Sequence, residues 1–539
     1  MRKTIGAAVI RPLNAIPLFN DRRRFWGVPS LAIAVVAVGA VYSIALCVPF
    51  GVVDDYLCLV RTENRNPIII DICATQGRQI NGYLLQFVFS HVHRISALRE
   101  IRAVAMLLAA MLTRVVNRAL TRAGWPRGLA LLVGLGIVVL PATQVCVTWA
   151  ICVAMPLAGA AGVLAAMLAA RAGRMHVSRD RVGDAAAGRW KRFVFAGGAW
   201  ALLVIGLLIY QPWAMTYWAI AAVELFSPRW RRKSLAPMLV WIGSIGAAAL
   251  ATGFGFLKLG LHQYPTLVTG PLRASIVGSG ASIREKINWF VHEPLINSLN
   301  FDCMKTSGWF AVIVAGVLAS GLLLYFRGSI WDRLGRLAIA AALVPLAYIP
   351  NLMTAENWAT YRTQMGLECL WTFYALMAAH GFVWAGRLLL KTSGPFRFIG
   401  PGIPAALVLA GAARAAYVIA VYIVWPQSME FKYLQSVLTP SALINLQQIV
   451  IVQPHYPLLG PGSNTYAEYG VPSAMASWAI RPMVRLLLAE QSIRMPVRNI
   501  TFDKTLEPAI DSGDPHRLPT RTLVLDMRNL QRFRWRLNG

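Results

Sequence analysis

Long apolar runs recur along most of this 539-residue chain and restrict its fold more than any other feature. The hydrocarbon core of a bilayer is about 30 Å thick, so a helix needs roughly 20 apolar residues to cross it. The sequence contains about eleven such runs. Its residues are 57% hydrophobic and 14% charged, whereas soluble domains carry roughly 25% charged residues. The sequence therefore predicts a polytopic, all-α membrane bundle and excludes a soluble, disordered or coiled-coil chain.

The predicted spans differ in length, and two of them are short for a membrane crossing. Gly128–Leu140 and Pro212–Phe226 are interpreted as half-spans or strongly kinked helices. The remaining predicted spans lie near Trp26–Pro49, Arg99–Val116, Val145–Ala170, Phe193–Tyr210, Leu235–Leu257, Gly308–Phe326, Leu337–Leu352, Gln364–Trp384 and Ile399–Trp425.

The formal net charge of +29 is unevenly distributed along the chain. Basic residues concentrate in alternate connections between the predicted spans, as in Arg22–Arg24 and in the SPRWRRKS sequence of Ser227–Ser234. Cytoplasmic loops of membrane proteins collect Lys and Arg, whereas a nucleic-acid-binding protein clusters them on one surface. The pattern excludes nucleic acid as the partner. It predicts a cytoplasmic N-terminus and, with an odd number of spans, a C-terminal tail on the far side.

This topology divides the chain into two predicted domains. Residues 1–425 form the membrane domain, whose outer loops are residues 50–98 and 258–307. Residues 426–539 are predicted to form a small extracytoplasmic α/β domain, because the segment is long enough to fold as a unit.

The spacing of apolar residues within the tail predicts both helices and strands. Met429–Leu438 and Ala474–Glu490 have helical spacing, and QIVIV at Gln448–Val452 and TLVLD at Thr522–Asp526 are typical of short strands. The GPGSNTYAEYG sequence between them predicts a turn-rich loop. This loop either faces the membrane active site or is an ordinary surface loop.

Two adjacent carboxylates, Asp54 and Asp55, follow the first predicted span directly. Val52 and Val53 keep them near the apolar boundary, where desolvation raises a carboxyl pKa into the range of a general base. Charged groups at such a depth are costly, and they usually have a function. We interpret the pair as catalytic, with a simple helix-end charge as the alternative.

The first outer loop also contains a predicted amphipathic helix. Residues 76–92 read QGRQINGYLLQFVFSHV and place Ile80, Leu84 and Phe87 at helical spacing. Such a helix either lies in the membrane interface as a platform for a lipid substrate or packs against a neighbouring span. The INWFVHEPL sequence of residues 287–295 predicts a second interfacial helix.

These features together resemble the GT-C membrane glycosyltransferases. The resemblance lies in the cytoplasmic N-terminus, the single span, the Asp54–Asp55 pair and the GR-x-x-x-x-x-L-L helix that follows. The LPATQVCVTWA and LIYQPWAMTYW sequences are similar to that family as well. The likeness is strongest to bacterial enzymes that use a polyprenyl-phosphate sugar, such as the glucosyltransferases that modify the O-antigen of lipopolysaccharide.

The resemblance implies a reaction and roles for particular residues. A hexose or pentose is moved from a polyprenyl phosphate to a cell-envelope glycan or lipid acceptor, at the periplasmic face of the inner membrane. The family's Asp base corresponds to Asp54, or failing that to Asp55. The leaving lipid phosphate needs cations, for which Arg78, Lys258 and Arg362 are the candidates. Enzymes of this family differ in their need for a divalent metal ion, so the cofactor stays open.

Two polar turns at predicted outer span ends supply further candidate substrate contacts. Tyr210 and Gln211 offer a flat ring and an amide to a sugar, although interfacial aromatic residues often have no such role. The turn in TAENWATYRTQMGLE is too polar to be only a connector, with snorkelling anchors as the alternative. Its candidates are Glu356, Asn357, Tyr361 and Arg362.

Cys58 and Cys73 lie in the same predicted outer loop. Their spacing suits a disulfide, and an outer loop of a diderm bacterium faces an oxidising compartment. We therefore predict a bond between them.

Two other functions stay open at this stage, a transporter or flippase of lipid-linked oligosaccharide and an O-antigen polymerase. A transporter predicts charged residues deep in its spans and often an internal repeat. Glu224, Glu368 and Arg414 are the candidates for such charges, and the sequence shows no half-to-half repeat.

Overall fold

The computed structural model describes residues 30–62, 67–177, 185–227, 235–267, 275–278, 280–390, 396–444, 446–453, 468–493, 500–502 and 521–529. Within these residues the protein is mostly α-helical, as the sequence predicts, and it has one small β-sheet. The basic Arg22–Arg24 cluster, most of the SPRWRRKS sequence and residues 460–467 of the tail loop lie outside the described residues.

The first half of the chain contains short helices between longer ones. In chain order they are α1 (Ser30–Tyr42), α2 (Ile44–Cys47), α3 (Asp54–Thr62), α4 (Ile68–Thr75), α5 (Gln79–Phe89), α6 (Leu98–Ala123), α7 (Arg127–Val138), α8 (Pro141–Thr148), α9 (Met155–Val177), α10 (Ala185–Ala214), α11 (Thr216–Leu225) and α12 (Leu235–Gln263).

The second half continues the bundle and adds the sheet. Its helices are α13 (Gly280–His292), α14 (Pro294–Asn300), α15 (Gly308–Tyr325), α16 (Ile330–Leu346), α17 (Ile349–Met353), α18 (Met365–Leu390), α19 (Phe396–Val418), α20 (Trp425–Val437) and α21 (Ser477–Glu490). Its strands are β1 (Gln448–Val452), β2 (Ile500–Phe502) and β3 (Thr522–Asp526).

Five helices of the described residues are long and apolar enough to cross a membrane, which identifies a multi-pass membrane protein. A sixth crossing results if α7 and α8, which meet at a 60° bend, count as one broken span. Other predicted spans coincide with helices that are shorter, such as α1, or that carry several charges, such as α6. The count of about eleven therefore stays a prediction. The five helices are Ala150–Met175, Arg189–Ala214, Leu235–Gln263, Gly308–Tyr325 and Gly402–Val437.

The two short predicted spans are indeed interrupted in the structure. The first ends at Val138, and Pro141 begins a separate helix, because proline fits the first turn of a helix but not its interior. The second is preceded by a kink at Tyr210, whose φ of −158° and ψ of 108° are not helical. Pro212 follows within the same turn and removes a backbone donor there. The kink leads the chain into α11.

The last long helix extends beyond its predicted end at Trp425. A π-helical turn at Ile419–Val424 joins α19 to α20, and the helix continues to Val437. Pro426 lies in the first turn of α20, where its missing N–H group is tolerated. The predicted helix Met429–Leu438 is therefore the end of this continuous helix.

The sheet has three parallel strands in the order β2-β1-β3. Both predicted strands, Gln448–Val452 and Thr522–Asp526, are confirmed. The third strand, Ile500–Phe502, has only three residues and was too short to stand out in the sequence pattern. The predicted tail helix is confirmed as α21, which begins three residues later than predicted.

The tail and residues 50–98, the predicted first outer loop, share a hydrophobic core. Ile449 of β1 and Ile480 of α21 belong to the same buried cluster as Tyr56, Leu59 and Phe89. Burial of this apolar surface fixes the tail against α3 and α5. The domain boundary at residue 426 stays a prediction, and the two predicted domains pack against each other through this core.

The predicted disulfide is not formed. Cys58 on α3 and Cys73 on α4 are both buried free cysteines. Their side chains are part of the apolar core of the outer loop, where free cysteine packs as a small hydrophobic residue.

Candidate active site

A cavity of about 1000 Å³ lies where the first outer loop, the bundle and the tail meet. Six of the ten sequence-predicted site residues line it, and they come from separate parts of the chain: Asp54, Arg78, Tyr210, Gln211, Glu356 and Arg362. A cavity of this size that combines apolar walls with a few charged groups is typical of a small-molecule or lipid site.

Asp54 and Asp55 are adjacent but have different surroundings. Asp54 begins α3, is partly exposed and lines the cavity. Its Oδ1 accepts a hydrogen bond of 2.8 Å from the indole N–H of Trp478 in the tail. Asp54 is therefore the member of the pair that can meet a substrate.

Asp55 faces away from the cavity and is fully buried. Its Oδ2 accepts from the N–H groups of Val52 at 3.0 Å and Ala150 at 3.3 Å, and its Oδ1 accepts from Ile151 at 2.9 Å. Arg102 Nη2 lies 3.9 Å from Oδ2. These contacts tie the start of the outer loop to the segment after α8.

The environment of Asp55 opposes its ionisation. Burial raises the pKa of Asp55 to about 7, although the charge of Arg102 and the three backbone donors act in the opposite direction. Arg102 is itself held by Phe50 O at 2.6 Å and Thr148 O at 2.8 Å. The buried pair belongs to the scaffold behind the cavity wall.

The backbone just before Asp54 is strained. Val53 has a φ of 36°, in the left-handed region that a β-branched residue rarely adopts. Its N–H group donates to Ser473 Oγ at 2.9 Å. Such outliers persist only where surrounding contacts hold them, and they concentrate at functional sites.

Arg78 and Gln211 form a polar corner of the cavity. Arg78 Nε donates to Gln211 Oε1 at 3.0 Å, and its guanidinium lies 4.3 Å from the ring centre of Tyr210. Gln211 Nε2 donates to the carbonyls of Gln76 at 2.9 Å and Gly77 at 3.0 Å. The kink at Tyr210 thus directs bundle side chains toward the outer loop.

Arg362 is the middle residue of the 3-10 helix Tyr361–Thr363 and is 13% exposed. Its Nε lies 3.3 Å from Glu468 Oε1, and its guanidinium lies 4.3 Å from the ring centre of Trp149. Trp213 Nε1 donates to the Arg362 carbonyl at 3.1 Å. The ion pair and the contact with the Trp149 ring fix this cation in the cavity wall.

Arg61 also lines the cavity, and sequence reasoning missed it. It lies seven residues after Asp54 on α3, two helical turns further along the same face. Helical spacing from Asp54 would have found it. Together with Arg78 and Arg362 it gives the cavity three arginines from three elements.

Lys286 lies outside the cavity lining and holds the part of the wall that contains Glu356. Its Nζ donates to Glu356 O at 2.6 Å and to Asn357 Oδ1 at 3.0 Å. Burial lowers the pKa of Lys286 to about 8, while the nearby Glu356 and Glu285 oppose that fall. Glu356 lines the cavity, whereas Asn357 is held by this contact and is not among the lining residues.

Two further predicted residues lie outside the cavity lining. Tyr361 is fully buried, donates to the carbonyl of Asp302 and packs edge-on against Tyr469 at 5.3 Å. Lys258 is exposed on α12, with its Nζ 5.3 Å from the ring centre of Phe254. The structure therefore brings neither side chain onto the wall that holds Asp54.

One side of the cavity is apolar. It is built from the C-terminal parts of α10 and α12 and from α4: Leu207, Leu250, Phe254, Leu257, Ile69 and Ile72. Hydrocarbon groups are stabilised against such a wall, at roughly 25 cal/mol for each Å² removed from water.

The tail completes the cavity with Glu468, Val471 and Trp478. Their long sequence separation from Asp54 left no local signal that they share its site. Glu468 belongs to the stretch predicted to be a loop that either faces the site or lies on the surface, and its carboxylate lies on the cavity wall. It also accepts from the N–H of Tyr361 at 3.1 Å.

The deep charges that a transporter would use have structural partners. Glu368 Oε2 accepts from the N–H of Ala142 at the start of α8, at 3.1 Å. Arg414 Nη2 lies 2.9 Å from Asp302 Oδ2, and Glu224 Oε2 lies 2.7 Å from Arg174 Nη1. These contacts cap a broken helix and join elements of the bundle.

Within the described ranges no group of three or more His, Cys, Asp or Glu side chains is arranged to hold a metal ion. The neighbouring residues His292 and Glu293 contact different groups. His292 Nδ1 contacts Asn288 O at 2.8 Å, and Glu293 Oε2 accepts from Trp289 Nε1 at 2.5 Å.

No protein-family model and no curated protein matches this chain. A solved structure of the archaeal oligosaccharyltransferase AglB from Archaeoglobus fulgidus, in complex with an inhibitory peptide and a dolichol-phosphate, gives a TM-score of 0.38. The identity is 11% over 89% of this chain and 70% of that chain. By its own helices and cavity, the chain is a mostly helical, multi-pass membrane protein with a charged site beside an apolar wall.

Proposed function

We propose that this protein is a membrane glycosyltransferase that moves a hexose or pentose from a polyprenyl-phosphate donor to a hydroxyl of a cell-envelope glycan or lipid. One observation carries the proposal. A carboxylate, Asp54, shares one cavity with three arginines and an apolar wall. A base, a phosphate site and a hydrocarbon site are the three things that this reaction requires.

The donor is the component that the cavity fits best. A prenyl chain packs against the apolar wall formed by α4, α10 and α12. Its phosphate then lies toward the arginine side, where guanidinium groups form charge-assisted hydrogen bonds to phosphate oxygens. Arg61, Arg78 and Arg362 are the groups for this role.

The chemical step follows from these positions. Asp54 accepts the proton of the acceptor hydroxyl while the acceptor oxygen attacks the anomeric carbon of the donor sugar. The bond between that carbon and the phosphate oxygen breaks, and its electron pair leaves with the polyprenyl phosphate. The arginines stabilise the negative charge that develops on the leaving phosphate.

The finer topology belongs to the same proposal. In this proposal about eleven spans cross the inner membrane, the N-terminus is cytoplasmic, as the basic connections predict, and the cavity and the tail are periplasmic. An O-antigen-type lipopolysaccharide glycan is an acceptor of the expected kind at that face.

The test is made with purified full-length protein in lipid nanodiscs. Polyprenyl-phosphate hexose or pentose carrying a radiolabelled sugar is supplied together with a cell-envelope glycolipid extract. A transferase moves label onto the extract and releases free polyprenyl phosphate. In sealed vesicles, label that changes leaflet while the sugar–phosphate bond stays intact would instead indicate a flippase and would overturn the proposal.

A further inference from the structure

The Val53–Asp54 turn is contacted by two side chains from a segment more than 400 residues away. Ser473 Oγ accepts from the Val53 N–H at 2.9 Å, and Trp478 Nε1 donates to Asp54 Oδ1 at 2.8 Å. In the described part of the chain the Asp54 carboxylate makes no other hydrogen bond.

The segment that makes these contacts is itself fixed to the last long helix. Glu430 of α20 accepts from the N–H groups of Ser473 at 2.9 Å and Ala474 at 2.6 Å. Ser473 Oγ donates in turn to Gln427 Oε1 at 2.7 Å. Ser473 and Glu430 are both fully buried, so this anchor is shielded from water.

A second set of contacts holds the residues that precede Ser473 in the chain. The N–H of Gly470 donates to Tyr422 O at 2.7 Å, within the π-helical turn of the last helix. A π-turn displaces carbonyls from their regular helical partners and occurs often at functional sites. Gln427 Nε2 donates to Val471 O at 2.6 Å. The segment from Gly470 to Trp478 is therefore clamped along its length.

We propose that this segment is a positioning device for the catalytic base, in which Ser473 fixes the strained Val53 backbone and Trp478 fixes the Asp54 carboxylate. The proposal rests on the role of Asp54 in the proposed function. Ser473 and Trp478 are positioning residues, because they act through Asp54 and its backbone.

The physical reason is orientation. The hydroxyl of Ser473 supplies the Val53 N–H with a partner and so stabilises a backbone conformation that this residue would otherwise leave. The indole N–H of Trp478 donates to Oδ1 of Asp54 and so restricts rotation of the carboxylate. Oδ2 then stays available to accept the proton of the acceptor hydroxyl. Misplacement of a reacting group by about 1 Å is enough to slow a reaction by orders of magnitude.

The test compares two substitutions at Trp478 in the full-length protein. Trp478→Phe keeps a ring without a donor, and Trp478→His keeps a ring with an N–H donor. We expect Trp478→Phe to lower kcat about tenfold, to leave the donor KM within about twofold, and to be largely rescued in Trp478→His. Trp309→Phe, at a 79% exposed tryptophan of α15, is the matched control with unchanged kinetics.

A combined variant separates this inference from the proposed function. If Trp478 acts through Asp54, adding Trp478→Phe to Asp54→Asn changes the residual rate by less than about twofold. A further tenfold loss in that background would show that Trp478 acts independently and would overturn the inference. A normal rate in Trp478→Phe beside an inactive Asp54→Asn also overturns it, and the proposed function stands. A normal rate in Asp54→Asn defeats the proposed function itself.

Ser473 gives an independent variant that preserves the indole. Ser473→Thr keeps a hydroxyl and Ser473→Ala removes it, so we expect kcat to fall in Ser473→Ala and to recover in Ser473→Thr. Equal kcat values in both, with both proteins folded to the same melting temperature, would contradict the role of the hydroxyl.

Discussion

Arg362 and Glu468 form an ion pair in the wall of the cavity, with Arg362 Nε 3.3 Å from Glu468 Oε1. The arginine belongs to the turn before α18 and the glutamate belongs to the tail, 106 positions later. Both side chains are mostly buried, at 13% and 11% exposure. The pair thus joins the tail to the bundle at the site where the proposed reaction takes place.

Replacing Arg362 by Gln is expected to weaken donor binding, because it removes a charge-assisted contact to the phosphate and leaves Glu468 without its cation. We expect the donor KM to rise about tenfold or more, together with a lower melting temperature. Glu468→Gln removes the opposite charge of the same pair and serves as the comparison. A donor KM unchanged in Arg362→Gln would contradict the assignment of this cation to the phosphate.

Replacing Arg61 by Gln is expected to raise the donor KM about tenfold with little change in melting temperature, because no ion pair of Arg61 is present in the described ranges. The informative comparison is Lys258→Gln, which changes an exposed cation outside the cavity lining. Donor titrations of both variants are the measurement. A larger effect at Lys258 than at Arg61 would place the phosphate elsewhere.

Gly77 occupies the sharp turn between α4 and α5. Its φ is 69°, and an added Cβ would lie 3.1 Å from Leu257 Cβ and 3.2 Å from Gln211 Nε2. Gly77→Ala is expected to displace Gln211 and its partner Arg78, to cost about 1–3 kcal/mol of stability, and to raise the donor KM. Gly316→Ala, a helical glycine with nothing within 4 Å, is the matched control. Equal melting temperatures for the two variants would contradict this prediction.

The buried carboxyl group of Asp55 is expected to make the free energy of unfolding depend on pH. Burial disfavours the charged form of Asp55 and raises its pKa from the 3.8 usual for an aspartate side chain to about 7 in the folded protein. Between these values the folded state binds a proton that the unfolded state has released. The free energy of unfolding therefore falls as pH rises from about 4 to 7, by up to roughly 4 kcal/mol.

The measurement for Asp55 is the melting temperature in detergent at several pH values, for the wild-type protein and Asp55→Asn. The variant is expected to be less stable at low pH. Both oxygens of Asp55 accept hydrogen bonds from backbone N–H groups, whereas the side-chain nitrogen of Asn can only donate, so at least one N–H group loses its partner. It should also lack the pH dependence that the carboxyl group contributes. Parallel pH curves for the two proteins would show that Asp55 does not titrate in this window.

The helical fold and several polar residues of the cavity were predictable because their signals are local. Long apolar runs predict α9, α12 and α15, the short apolar runs QIVIV and TLVLD predict β1 and β3, and the position of Asp54 after a span predicts a site. Kinks at Pro141 and Tyr210 follow from proline positions in the sequence.

The remaining features depend on distant packing. Nothing near Asp55 indicates that backbone groups around Ala150 and Ile151 would occupy its oxygens. Trp478 and Glu468 reach the cavity only because the tail packs on the first outer loop, and a one-dimensional pattern does not contain that contact. The predicted Cys58–Cys73 bond failed because loop length permits a disulfide but does not determine the side-chain directions.

The most direct test is the rate of polyprenyl-phosphate release from a polyprenyl-phosphate sugar by purified wild-type protein and by Asp54→Asn, with saturating acceptor extract. Asp71→Asn, which changes a carboxylate of the same outer loop outside the cavity lining, is the control for folding and insertion. If Asp54 is the base, its variant loses about two orders of magnitude in rate while donor binding persists and Asp71→Asn stays active. Release at the wild-type rate by a correctly folded Asp54→Asn protein would contradict the account.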